Sequence, residues 1–137
     1  MKSVVDCELV VWVVDDDLVS LYAAQYGIQQ WNTSCKVIDF DCAETALRIF
    51  ADILEEGAQP PDIILLDLVM PRMNGWEFLA QFEALQSKCK KTDVYVLSAF
   101  SNSKDRLKAQ EHISVKGYFD KPISKMALDE ILVTRNY

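Results

Sequence analysis

Four aspartates lie where two apolar segments of the chain end. Asp15, Asp16 and Asp17 follow the run that ends at Val14, and Asp67 follows a second run. If both runs are parallel strands, their carboxyl ends meet at one edge of a sheet, where open α/β sheets bind ligands. Two carboxylates about 4 Å apart repel by roughly 4 kcal/mol at an effective dielectric constant near 20. Such a cluster requires a cation, and an all-oxygen site with few protein ligands suits Mg²⁺.

A hydroxyl and an amine follow two further apolar segments. Ser98 comes after the fourth segment and Lys121 after the fifth. A phosphoryl group on Asp67 would meet both side chains, which is the charge arrangement that phosphoryl transfer requires. Each residue alone is a weak signal, because aspartates at strand ends also serve as turn and helix-capping residues. Asp17, directly before a helical segment, fits the capping role best.

The segments that must position these side chains alternate between short apolar runs and longer stretches of helical periodicity. This alternation predicts repeated βα units and a doubly wound α/β fold with a parallel sheet. The five predicted strands are Leu9–Val14, Lys36–Phe40, Ile63–Leu66, Val94–Leu97 and Gly117–Phe119. Asp41 and Glu44 form a candidate capping box for the second helix, and Gly57 supplies its end. The fourth helix, around 104–111, is polar, and Ser124 is the expected cap of the fifth.

Composition indicates a single globular domain. The chain has 137 residues, 50% hydrophobic and 26% charged, which fits one domain over residues 1–137 with a core at about 8–134 and no output domain. The net charge of −7 gives little support to direct nucleic-acid binding. No apolar segment is long enough for membrane insertion or a signal peptide, so we expect a cytoplasmic protein. Four cysteines without C-x-x-C spacing are expected to be reduced: Cys7, Cys35, Cys42 and Cys89.

Five separated motifs together resemble the response-regulator receiver domain of two-component signalling. They are Val13-Val14-Asp15-Asp16, Leu65-Leu66-Asp67, Met70-Pro71-Arg72-Met73-Asn74-Gly75, Ser98-Ala99 and Lys121-Pro122. Their order and spacing make the likeness far more specific than any one short motif. The resemblance covers essentially the whole chain. It implies a flavodoxin-like, CheY-like fold with five parallel strands in the order 2-1-3-4-5 and helices on both faces.

The resemblance also implies a role for each acid of the cluster. Asp67 would be the phosphoacceptor and a metal ligand. Asp15 and Asp16 would be the other metal-binding acids, and Val69 would contribute its backbone carbonyl. The implied cofactor is Mg²⁺.

Further roles follow from the same likeness. Ser98 would contact the phosphoryl group, Lys121 would be its cationic partner, and Tyr118 matches the switch aromatic that responds to Ser98. The family has a cis peptide bond before Pro122, whereas trans is the usual state for an isolated X-Pro bond. At Gly75, in the loop after Asp67, the residue type alone predicts a positive φ angle.

The implied function is a phosphorylation-activated switch, not an enzyme beyond its own Mg²⁺-dependent phosphorylation and slow dephosphorylation. It would accept a phosphoryl group from a histidine kinase or histidine phosphotransfer protein and signal by docking to a further, unknown protein. Slow dephosphorylation is expected because Val69 and Phe100 offer no polar side chain to orient an attacking water. An aspartyl-phosphate hydrolase of the haloacid-dehalogenase type is disfavoured, since it needs a second acid where Val69 stands. A phosphate-independent interaction module is disfavoured by the intact acid, serine and lysine set.

The first helix carries a second stripe beside its core residues. Leu18, Tyr22, Tyr26 and Gln29 form this uncharged stripe, and exposed aromatic residues often mark contact surfaces. Helix one commonly docks the kinase in the family that the chain resembles. The same spacing is also consistent with packing of the stripe against the fifth helix, or with an ordinary exposed surface.

Overall fold

A computed structural model describes residues 9–32, 34–86, 92–99 and 102–136. Three residues named in the sequence predictions lie outside these ranges. They are Cys7 and Cys89, which are expected to be reduced, and Phe100, which was linked to slow dephosphorylation. Strands and helices alternate along the chain: β1 Val10–Val14, α1 Leu18–Trp31, β2 Lys36–Phe40, α2 Ala43–Glu56, β3 Ile63–Asp67, α3 Gly75–Gln86, β4 Asp93–Ser98, α4 Ser103–Gln110, β5 Val115–Asp120 and α5 Lys125–Asn136.

The strands form one parallel sheet in the order β2-β1-β3-β4-β5. This order confirms the predicted doubly wound α/β fold. The last three strands run further than the apolar pattern indicated, because the hydrogen-bonded ladder includes polar ends such as Asp67 opposite Leu97 and Ser98 opposite Asp120. Apolar periodicity reports which residues are buried and does not report where a ladder stops.

Two apolar layers cover the two faces of the sheet. Successive strand residues point to opposite faces, so Val11 and Val13 join one layer while Trp12 and Val14 join the other. The first layer packs β1 and β3 against α1 and α5, with Leu21, Ile28, Ile131 and Leu132 in its core. The second packs the sheet against α2 and α3, with Phe50, Phe78, Leu79 and Phe82 in its core. Packing on both faces thereby fixes the positions of the strand ends at the edge of the sheet.

Local capping interactions set where the helices begin. Asp17 caps α1 as predicted, since its side chain accepts a hydrogen bond from the backbone of Val19 at 3.1 Å. Ser124 likewise accepts from the backbone of Ala127 at 3.0 Å. Gly57 ends α2 in the left-handed conformation, with φ of 71°. Glycine tolerates this conformation without steric strain.

The predicted Asp41 and Glu44 capping box is wrong. The cap position of α2 is Cys42, one residue later, and no side chain caps the helix there. The Glu44 carboxylate pairs instead with Arg72, at 3.4 Å. A capping box is present instead at the start of α3. The backbone N–H of Asn74 donates to the Glu77 carboxylate and the backbone N–H of Glu77 donates to the Asn74 side-chain oxygen, each at 2.9 Å.

Two further sequence expectations concern membranes and cysteines. Within the described ranges, no helix is long and apolar enough to cross a membrane. Cys35 is buried and Cys42 is half-buried, and no disulfide joins cysteines in this part of the chain.

Candidate functional site

Three carboxylates meet at the carboxyl edge of the sheet, as the sequence predicted. The pairing of Val14 with Leu66 places the residues that follow them, Asp15 and Asp67, side by side. Asp15 is 2% exposed and Asp67 is 7% exposed, whereas Asp16 is exposed. One oxygen from each of the three acids lies within 4.8 Å of the others.

Lys121 reaches this cluster from the end of β5. Its Nζ lies 2.6 Å from an oxygen of Asp15 and 3.4 Å from an oxygen of Asp67. Burial of the ammonium acts to lower the pKa of Lys121, but the hydrogen bond and charge of Asp15, with those of Asp67, outweigh it and raise that pKa. The lysine therefore stays charged and compensates part of the negative charge of the acids.

The same environment perturbs the carboxyl group of Asp67. Burial, and then the charge of Asp15, raise its pKa from 3.8 to about 6, although Lys121 and a backbone hydrogen bond from Val69 act in the opposite direction. Burial and a neighbouring like charge both disfavour an ionised carboxylate. A cation that shared these acids would relieve the repulsion.

The donor set fits a divalent metal ion. Asp15, Asp16 and Asp67 offer hard oxygen ligands at the spacing of a single ion, and Mg²⁺ characteristically takes one or two carboxylates together with phosphate oxygens. Two of the acids are buried and one faces solvent, which leaves an open side for a ligand. The cluster contains no cysteine or histidine, in agreement with the expected oxygen chemistry.

Ser98 stands at the end of β4 beside these groups. It is 4% exposed, and its backbone carbonyl accepts a 2.9 Å hydrogen bond from the backbone of Lys121. The Lys121–Pro122 peptide bond is cis, which the family resemblance implied and the sequence alone did not. The backbone hydrogen bond between Lys121 and Ser98 joins the end of β4 to the segment after β5 at the site.

In the loop after Asp67, the predicted positive φ angle at Gly75 is wrong. That conformation belongs to Arg72, with φ of 66°. A Cβ atom at Gly75 would lie 2.7 Å from the carbonyl oxygen of Asp67 and 2.8 Å from the Cα of Leu68. Glycine is required because the start of α3 packs directly on the backbone of the site. Val69, in the same loop, has a 75% exposed side chain.

Tyr118 lies on the edge strand β5, half-buried, with its hydroxyl oxygen buried and without a hydrogen-bond partner among the described residues. The guanidinium carbon of Arg106, on α4, lies 4.6 Å from the centroid of its ring. Sequence reasoning missed Arg106. The polar pattern of α4 contained no signal for this contact, because it depends on where α4 packs against the sheet edge.

A second polar cluster that sequence reasoning missed joins α3 to the segment before β5. Glu83 contacts His112 at 2.8 Å and accepts hydrogen bonds from the backbone and hydroxyl of Ser114. Burial acts to raise the pKa of Glu83, but the bonds from Ser114 and His112 outweigh it and lower that pKa. Trp76 stacks on His112, with ring centroids 5.8 Å apart.

The second stripe of α1 is exposed to solvent. Leu18, Tyr22 and Tyr26 are 70%, 75% and 63% exposed, and Gln29 is exposed as well. These side chains therefore do not pack against α5. Beside the stripe, a groove runs from α1 to the segment after β5 and is lined by Val19, Ser20, Ala23, Ala99, Lys121, Pro122 and Ile123. The groove opens beside the acidic cluster.

Comparison with known proteins identifies the family. The model of the response regulator receiver domain matches residues 11–133. This chain belongs to that family. Receiver domains are regulatory modules of two-component systems, not classical enzymes, and in general they interact with histidine kinases and phosphotransfer proteins.

One curated protein and two solved structures from bacteria are similar to this chain. The receiver domain is 27% identical over 117 residues to regulatory protein AtoC of Escherichia coli (strain K12), a match that covers 85% of this chain and 22% of that protein. A two-component response regulator from Cytophaga hutchinsonii is 25% identical with a TM-score of 0.85, covering 93% of this chain and 97% of that one. Another from Legionella pneumophila is 26% identical with a TM-score of 0.79, covering 93% and 98%. The receiver domain therefore spans less than a quarter of the curated relative that it matches.

Proposed function

We propose that this protein is a cytoplasmic switch that accepts a phosphoryl group on Asp67 from a histidine kinase or histidine phosphotransfer protein. The observation that carries the proposal is the buried carboxylate of Asp67 beside Asp15, with the ammonium of Lys121 in contact with both acids. A nucleophilic carboxylate must be ionised, and the charge and hydrogen bond of Lys121 favour the ionised form of Asp67 by acting to lower its pKa. In the transfer, an oxygen of Asp67 forms a bond to phosphorus while the phosphorus–nitrogen bond of the donor phosphohistidine breaks.

The neighbouring side chains stabilise the charge that moves during transfer. The Lys121 ammonium is placed to pair with an oxygen of the phosphoryl group, since it already lies 3.4 Å from Asp67. The Ser98 hydroxyl, at the adjacent strand end, would donate to a second oxygen. Bound Mg²⁺ would be held by Asp15, Asp16, Asp67 and the backbone carbonyl of Val69, and it supplies positive charge that phosphoryl transfer requires.

The surface next to the site supports an approach of the donor along α1. The groove runs from Val19, Ser20 and Ala23 of α1 to Lys121. Tyr22 and Tyr26, on the same helix, offer large exposed surfaces. Aromatic side chains are enriched in protein interfaces. We assign donor docking to this face, and we assign recognition by the downstream protein to the face formed by β5 and its flanking helices.

The position of Val69 favours a switch over a hydrolase. A hydrolase of the haloacid-dehalogenase type needs an acid two residues after the nucleophile, and this position holds a valine whose side chain faces solvent. An Asp67 phosphoryl group is therefore expected to accumulate instead of turning over rapidly.

Incubation with Mg²⁺ and acetyl phosphate, followed over time by intact-protein mass measurement, tests the proposal. We expect one phosphoryl group to accumulate on the wild type and none on Asp67→Asn. Asp52→Asn, at an exposed position of α2, is the matched control and should label like the wild type. Consumption of acetyl phosphate without a stable adduct would indicate a hydrolase, and the absence of both reactions would indicate a phosphate-independent interaction module.

A further inference from the structure

Arg106 joins α4 to the edge strand β5 through three contacts. Its guanidinium lies over the ring of Tyr118 at 4.6 Å. One terminal nitrogen donates to the backbone carbonyl of Tyr118 at 3.4 Å, and the other pairs with an oxygen of Asp120 at 3.3 Å. The rest of α4 is mostly exposed, with Ala109 as its buried residue. A single side chain thus contacts the ring, the backbone and the end of the strand that leads to the site.

The position of the Tyr118 ring needs a stabilising contact. Its hydroxyl oxygen is buried and has no hydrogen-bond partner among the described residues, and burial of a polar group without a partner is unfavourable. Because β5 is an edge strand, outward rotation of the ring would return the hydroxyl to water. A guanidinium over the face of an aromatic ring attracts it, so Arg106 opposes that rotation.

The same side chain is connected to the site through Asp120. Asp120 pairs with Ser98 in the β4–β5 register and directly precedes Lys121. The two residues assigned to the phosphoryl group, Ser98 and Lys121, therefore flank the residue that anchors Arg106. The Asp120 carboxylate therefore links the guanidinium to the strand ends that carry Ser98 and Lys121.

We propose that Arg106 is a positioning residue of the switch: it holds the Tyr118 ring against the sheet and, through Asp120, couples that ring position to phosphoryl binding at Asp67. The coupling rests on the proposed function, whereas the positioning of the ring does not. Coupling between two sites is reciprocal. A variant that releases the ring therefore weakens the binding of a phosphoryl mimic by the same factor by which the bound mimic favours the held position of the ring. The attraction between a guanidinium and an aromatic ring at the protein surface corresponds to a change of about two- to fivefold in an equilibrium constant.

The test uses the full chain with fluorotyrosine incorporated and the Tyr118 signal assigned through Tyr118→Phe. The shift of this fluorine signal between H₂O and D₂O measures how far the ring is exposed to solvent. Arg106→Met keeps an aliphatic stem and removes the cation, and Arg106→Lys restores the charge without the planar group. Lys104→Met, at an exposed position of the same helix, is the matched control. Affinity for beryllofluoride in Mg²⁺ is measured on the same samples.

We expect Arg106→Met to increase the exposure of the ring and to weaken beryllofluoride binding by about two- to fivefold. Arg106→Lys should recover part of both effects, Asp120→Asn should reproduce part of them, and Lys104→Met should change neither. An unchanged fluorine signal in Arg106→Met would overturn the positioning role, and an exposed ring with unchanged affinity would overturn the coupling. If the wild type binds no beryllofluoride, the proposed function and the coupling are wrong, and the fluorine signal alone then decides whether Arg106 positions the ring.

Discussion

Replacing Asp67 by asparagine should stabilise the metal-free fold. A rise in the pKa of this carboxyl group from 3.8 to about 6 corresponds to about 3 kcal/mol of unfavourable free energy for its ionised form in the folded chain. Asparagine keeps the shape of the side chain and removes the charge, but it gives up the 3.4 Å contact with Lys121. We therefore expect Asp67→Asn to raise the free energy of unfolding by about 1–3 kcal/mol near neutral pH.

The gain in stability of Asp67→Asn over the wild type should decrease as the pH falls. Because the pKa of Asp67 is higher in the folded chain than in the unfolded chain, wild-type stability improves relative to the variant as protons bind. The advantage of Asp67→Asn should thus be full above a pH of about 6, shrink as the pH falls, and vanish near the unfolded pKa of 3.8.

Urea unfolding in the presence of a chelator, near neutral pH and again in acid, measures this difference directly. Asp52→Asn, at an exposed position of α2, should stay within about 0.5 kcal/mol of the wild type. An Asp67→Asn variant that is no more stable than the wild type near neutral pH, or whose stability advantage persists undiminished in acid, would disprove this prediction.

Three further outcomes concern the metal site, the α1 surface and the α3 cluster. Mg²⁺ should raise the melting temperature by mass action, by about RT ln(1 + [L]/Kd), and Asp16→Asn should remove most of that gain; an unchanged wild-type melting curve in Mg²⁺ would count against the site. Replacing Tyr22 and Tyr26 by serine should slow phosphotransfer from the cognate kinase while leaving labelling by acetyl phosphate unchanged, and equal slowing of both rates would contradict donor docking on α1. Glu83→Gln should cost about 1–2 kcal/mol in urea unfolding near neutral pH. Because the pKa of Glu83 is lowered from 4.5 in the folded chain, this cost should disappear as the pH falls through the folded pKa, and a cost independent of pH would contradict the assignment.

The approach of Asp15 to Asp67 could be predicted because it follows from topology. Parallel strands that alternate with helices place their carboxyl ends at one edge. Asp15, which follows β1, and Asp67, the last residue of the adjacent strand β3, are therefore neighbours. Lys121 follows β5, so its contact with Asp15 is less direct. Predicting this contact also requires that the lysine side chain be long enough to reach across the sheet edge, where its Nζ lies 2.6 Å from Asp15.

Features set by close packing could not be predicted. The sequence pattern at Asp41 and Glu44 satisfied the spacing of a capping box, but the turn after β2 places Cys42 at the cap and directs Glu44 towards Arg72. Gly75 is required by the approach of α3 to the backbone of the site. The contact of Arg106 with Tyr118 likewise depends on the placement of α4, which a polar helix pattern does not specify.

Locating the modified residue decides whether Asp67 accepts the phosphoryl group. After reaction with acetyl phosphate and Mg²⁺, borohydride reduction converts an aspartyl phosphate to homoserine, and peptide fragmentation by mass spectrometry locates the converted residue. We expect homoserine at position 67 of the wild type, and no conversion in a sample that received no phosphodonor. Conversion at another acid with position 67 unmodified, or a phosphoryl adduct that persists in Asp67→Asn at the wild-type rate, would contradict this expectation.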